Sequence, residues 1–175
     1  MIRTLLCLCL LLTGCMASMP NSIEEQRSNF DNSRRIVMQP GFVYENDKTL
    51  SYAYFKLGLS FVDTHPDSLI ITVEIPQAVT SIDSDRGLLF NVDGVITALS
   101  TSQVFTDFDI DRVQHTTYTA SSKRYLVPRS FLGKLLSADS VKVRLHTAAG
   151  FLEGDLLVDR PSAAIRGFRE FAAKM

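Results

Sequence analysis

Hydrophobic and polar positions alternate along most of this chain, with the period of strands whose side chains point to opposite faces in turn. In "YAYFKLGLSF", Ala53, Phe55, Leu57, Leu59 and Phe61 share one face, with Tyr52, Tyr54, Lys56 and Ser60 on the other. That pattern predicts a long, half-buried strand. "SLIITVEIP" is a second one, closed by Pro76, and the intervening "HPDS" supplies turn chemistry. In "LLFNVDGVITAL", residues 88–99, Asp93-Gly94 suits a type I′ turn, whose two central residues both need positive φ. A two-residue hairpin follows, with Val92 opposite Val95, Phe90 opposite Thr97 and Leu88 opposite Leu99.

Further strands are expected over residues 113–119, 123–127, 140–147 and 151–158, the last two joined by Ala148-Ala149-Gly150. Two stretches change period. Residues 128–137 place Phe131, Leu132, Leu135 and Leu136 at helical spacing, with Pro128 where a first turn tolerates it. Residues 162–174 put Ile165, Phe168, Phe171 and Ala172 on one stripe, opposite Arg166, Arg169 and Glu170. The expectation is one α+β domain over residues 36–175, mainly antiparallel β. A sandwich or half-open barrel of seven to nine strands with two helices accommodates these elements.

Ahead of that domain the pattern is different. The polar stretch "MPNSIEEQRSNFDNSRR" has almost no apolar periodicity, so residues 15–35 read as a flexible tether with a short helical turn at Ile23–Arg27. Still earlier come Arg3, the apolar run of residues 5–12 and the small pair Thr13-Gly14, which together read as an export signal over residues 1–14. The run is too short for a spanning helix, which needs about 20 apolar residues.

The segment Leu12-Thr13-Gly14-Cys15 resembles the lipobox of bacterial lipoproteins: Leu, a small residue, Gly, then Cys. The resemblance implies cleavage before Cys15, alkylation of its thiol by a diacylglycerol group and an N-terminal palmitate-type anchor. Two or more acyl chains hold a protein stably at a bilayer, at about 0.8 kcal/mol per buried methylene. Met16, rather than Asp, after the cysteine implies the outer membrane, with the body facing the periplasm.

Composition narrows the function classes. Without residues 1–14 the chain has 17 basic and 19 acidic residues, so no strong field favours nucleic acid. Cys7 and Cys9 leave with the signal and Cys15 goes to lipid. The body must therefore hold together without disulfides, thiol catalysis or cysteine metal sites, and no cofactor is expected.

The remaining chemistry is thin. Asp107, Asp109 and Asp111 in "TDFDIDR" would share one strand face, a hard-cation candidate. A calcium loop counted from Asp107 would need Gly and Glu where Arg112 and Tyr118 stand, so a solvated acidic face is the preferred reading. Asp83 and Asp85 in "SIDSDRG" read as a turn. His65, His115 and His146 lack zinc spacing, and neither "SSKR" nor "SFLGK" fits a nucleophile motif. Lys123, Arg124, Arg129, Lys134, Lys142 and Arg144 bring basic charge to residues 123–144, read as the wet faces of strands and a helix. Tyr44, Tyr52, Tyr54 and Tyr125 are candidates for an aromatic contact face, or equally for the cover of a second core layer. The leading expectation is a non-catalytic, membrane-tethered module that binds an envelope protein partner. A cation- or ligand-binding lipoprotein, and an anchored hydrolase built on His115 or His146, are the alternatives.

Overall fold

A computed structural model describes residues 22–45, 54–113 and 116–175. Cys15 and Tyr52 therefore lie outside the described residues, as does His115. So do the side chains of Tyr44 and Asp111.

Eleven strands and two helices are found among the described residues, and every strand pairing is antiparallel. They are β1 (Ile23–Arg27), β2 (Arg34–Phe42), β3 (Tyr44–Glu45), β4 (Lys56–Val62), β5 (Ser68–Pro76), β6 (Leu88–Val92), β7 (Val95–Leu99), β8 (Asp107–Val113) and β9 (Thr116–Pro128). Helix α1 (Arg129–Ser137), β10 (Val141–Thr147), β11 (Gly150–Leu157) and α2 (Ala163–Ala172) complete the chain. Sheet A, in the order β1-β2-β4-β5-β9-β8, curls as a half-barrel. Sheet B runs β3-β11-β10-β6-β7.

The alternation expected of the strands is what builds the core. Leu57, Leu59 and Phe61 on β4 and Leu69, Ile71, Val73 and Ile75 on β5 are buried. They belong to one hydrophobic core with Leu88, Phe90, Val143 and Leu145 of sheet B. Helix α2 packs on β2, β4 and β11 and buries Ile165, Phe168 and Phe171 completely. Its start is fixed by Ser162, whose hydroxyl accepts from the Ile165 backbone N–H at 3.2 Å. That satisfies one of the donors a helix N-terminus leaves unpaired. Helix α1 joins the two sheets, and Phe131 meets Phe90 edge-on with ring centroids 5.3 Å apart. Pro40 interrupts β2: it has no N–H to donate, and the register with β4 slips by one residue between Met38 and Gly41.

The β6–β7 hairpin has the predicted register, Val92 opposite Val95 through Leu88 opposite Leu99. Asp93 and Gly94 have φ of 49° and 88°, as a type I′ turn requires. Asp93 also docks the turn onto the start of β10, its carboxylate accepting from Ser140 N at 2.8 Å and Asp139 N at 3.1 Å. Gly94→Val is expected to cost about 1–2 kcal/mol, because a β-branched L-residue is forced into the left-handed region. Urea unfolding checks this, and an unchanged midpoint would refute the turn's role.

Several expectations are corrected. The tether does not reach residue 35: Ile23–Arg27 forms an edge strand on β2, not a helical turn. Periodicity could not show it, because β1 is held by ladder hydrogen bonds and by Arg34, which grips the Glu25 carboxylate at 2.7 and 3.1 Å. The strand expected over residues 113–119 is instead split between β8 and β9, with Val113 opposite Thr116. The strand expected over residues 123–127 is the second half of β9. With β1, β3 and β8 added, the strand count exceeds the seven to nine expected.

The β1–β2 connection carries its own pH dependence. The Arg34 guanidinium holds Glu25 below the usual carboxylate range. The Ser28 and Ser33 hydroxyls bring Asp31 down to about 2. Both groups have lower pKa values folded than unfolded, where about 4 is normal. Their contribution is therefore present above pH 4 and fades as pH falls towards 2. Amide exchange of Glu24 and Gln26 should accelerate across that window relative to the core strands.

Candidate functional site

The inner face of β9 departs from the apolar pattern of its neighbours. Ser121, Lys123 and Tyr125 point inward and are buried, alternating with Arg124 and Leu126 on the outside. Each holds a segment that crosses between the sheets. The Lys123 ammonium, 1% exposed, donates to Ile82 O at 2.6 Å, to Ser84 Oγ at 2.8 Å and to Val104 O at 3.4 Å. Ser121 Oγ donates to Ala78 O and accepts from Thr80 N, both at 2.9 Å. Tyr125 Oη donates to Asp83 O at 3.2 Å. The Thr106 hydroxyl takes the Ile82 N–H at 2.8 Å.

These bonds tie residues 77–87, which lead from β5 to β6, and residues 100–106, which lead from β7 to β8, onto one strand. Three ammonium protons meet three oxygens, so the buried charge is satisfied. Desolvation still lowers the Lys123 pKa, with the Asp83 and Asp107 carboxylates opposing it. Burial pushes the Tyr125 phenol upward, and the Asp83 charge adds to that.

What the clamp positions is the outer strand of sheet A. Beyond it stand Val104 and Phe105, the latter 81% exposed. On β8, Phe108 pairs with Ser121 and Ile110 with Thr119, so both lie on the inner face. Phe108 lies level with Ile75, one residue short of the end of β5, and Ile110 lies beyond that end; the two are 49% and 63% exposed. Asp107 and Asp109 occupy the opposite face, across from Ser122 and Ala120. Asp107 lies 3.8 Å from the Arg124 guanidinium, an exposed pair worth little in stability. Among the described residues no three His, Cys, Asp or Glu side chains gather as a metal site would require. The acidic strand was legible in the sequence; its apolar, solvent-facing reverse was not.

Other candidates are dispersed. Lys123 is buried rather than on a wet face, and Arg124 is exposed on the outer face of sheet A. Arg129 and Lys134 are on α1, and Lys142 and Arg144 are outward on β10. The basic run therefore makes no single patch. Tyr125 faces the core, which fits the core-covering reading of the tyrosines and not the contact-face one. Tyr54 is half-buried and stacks edge-on with Phe42, centroids 5.2 Å apart. His65 sits in the turn between β4 and β5, while His146 lies on β10 in the other sheet beside Phe151, 6.3 Å away. Asp83 and Asp85 fall in the β5–β6 crossover, as a turn reading requires. No described helix is long and apolar enough to cross a membrane. No family model matches the chain, and no curated protein or solved structure matches it either.

Proposed function

We propose that this protein is a lipid-anchored envelope lipoprotein, tethered through Cys15 to the outer membrane on its periplasmic side, and that it acts as a non-catalytic binding module. Its docking surface is the β8 edge of sheet A. The observation that carries this reading is the exposure of four large apolar residues, Val104, Phe105, Phe108 and Ile110, on β8 and on the segment leading into it, which Lys123 ties down through Val104 O. Burying a large apolar side chain is worth about 1.5–3 kcal/mol. Covering three of the four would contribute on the order of 6 kcal/mol, much of what a micromolar complex needs. β1, nearest the anchor in sequence, is the opposite edge of the same sheet.

A photo-crosslinking residue at position 105 tests this in cells, with Phe30, fully exposed in the β1–β2 turn, as the control position. A discrete protein adduct at 105 and none at 30 is expected. Equal labelling at both would remove the docking surface. Metabolic labelling with a clickable palmitate analogue should mark the wild type and spare Cys15→Ala; a Cys15→Ala chain that is still labelled would remove the anchor.

A further inference from the structure

Resting on that docking surface, we infer its partner's chemistry: β8 takes an extended segment in which basic and apolar side chains alternate, added as the next strand of sheet A. β8 is the terminal strand of its sheet, so among the described residues no strand pairs with its outer side. Exposed edges are normally blunted by charged side chains, lysine above all, by proline, by a bulge or by a covering element. The stretch "DFDIDRV" contains neither Lys nor Pro, and its pairing with β9 runs without a register shift; its charge is mainly carboxylate, which repels acidic strands but not basic ones.

The two faces of β8 specify what can be added. Side chains directly opposite on neighbouring strands come within about 5 Å, where opposite charges attract and like charges repel. Asp107 and Asp109 therefore call for Lys or Arg on one face of the added strand. Asp109 has only Ala120 opposite it on β9. On the other face Phe108 and Ile110 call for apolar residues at the intervening positions. Period-two alternation meets both demands whether the strand adds parallel or antiparallel.

The same charges argue against a second copy of this chain. A two-fold pairing of β8 with itself sets Asp109 against Asp109 and Asp107 against Asp111. The opposite edge, β1, reads "IEEQR" and offers no alternating basic face. The edge thus discourages its own kind while staying open to a basic strand.

The experiment uses the full lipidated chain in detergent micelles and three blocked seven-residue peptides. One alternates Lys and Val, one alternates Glu and Val, and one is the Lys-Val peptide N-methylated at every second residue to remove ladder hydrogen bonds. Binding is read by fluorescence anisotropy, and amide exchange locates it. The Lys-Val peptide should bind and slow exchange in residues 107–113 at least tenfold, while the other two do not. Asp109→Lys should weaken it about tenfold, and Asp107→Lys/Asp109→Lys should transfer the preference to the Glu-Val peptide. Equal binding of the Lys-Val peptide by wild type and both variants, protection elsewhere in the chain, or concentration-dependent self-association that protects β8 would each overturn the inference. A specific crosslink at position 105 with no peptide selectivity would leave the docking surface standing and remove only this chemistry.

Discussion

Gly87→Ala should lower the thermal unfolding midpoint by on the order of 10 °C, although it adds a single methyl group. A Cβ at residue 87 would stand 2.0 Å from Asp83 O and 2.7 Å from Tyr125 Oη. Neither is the loose end of a flexible chain. Asp83 N is bound to His146 O at 3.1 Å, and Gly87 O accepts from His146 N at 2.8 Å. The crossover is therefore fastened to β10 on both sides of the clash, and Tyr125 is wedged within the core. Overpacking of this kind costs up to about 3 kcal/mol, and here it also breaks the Tyr125–Asp83 hydrogen bond. Circular dichroism melts check it. A midpoint within two or three degrees of wild type would mean that the crossover yields freely, contrary to its hydrogen bonding.

Lys123→Ala should be worse, at about 3–5 kcal/mol, because it deletes a buried charge-assisted donor and leaves a void where the stem packed. Lys123→Met separates these effects. Methionine restores much of the stem's volume, Ile82 O keeps the Thr106 hydroxyl at 3.3 Å and Val104 O keeps Ser84 Oγ at 3.0 Å. Its cost should be about 1–2 kcal/mol. Denaturant titrations in which methionine proves as costly as alanine would show that the ammonium itself, not the stem, carries the stability.

The wild type should also show a pH signature that the methionine variant lacks. Burial depresses the folded pKa of Lys123 below its unfolded value of about 10.4. Between those two values the unfolded chain binds more protons than the folded one, so stability rises with pH across that interval. Below it the cost of burying the charge is constant. The slope difference between wild type and Lys123→Met on the alkaline side should therefore be positive; an opposite sign would mean that the neighbouring carboxylates outweigh desolvation.

The contrast between these residues shows which parts of the fold a sequence exposes. Asp93-Gly94 was readable because turn geometry depends on two adjacent residues. The α2 stripe of Ile165, Phe168 and Phe171 was readable because helical spacing and burial coincide. Lys123 was not, since it is satisfied by carbonyl oxygens of Ile82 and Val104, separated from it by 41 and 19 positions. No local pattern distinguishes such a lysine from one in water. β1 escaped for a related reason: a five-residue charged strand owes its existence to the ladder on β2, not to its own faces. At the candidate site, the acidic alternation of β8 could be read directly. That Phe108 and Ile110 remain open to solvent could not, because burial depends on the position of β8 at the sheet edge and, for Ile110, on where β5 stops.

The placement of β1 has a mechanical consequence. Tension on the chain before Ile23 would act first on the end of β1 that pairs with Met38, peeling ladder bonds one at a time towards the turn. Releasing residues 23–33 would add on the order of 20 Å of reach, because Ile23 already lies beside Met38, four residues along from Arg34. Those bonds break singly, and only afterwards would the full load fall on the ladder between β2 and β4, on which α2 rests. The first strand is thus a sacrificial edge, yielding to a pull on the chain ahead of it before the core deforms.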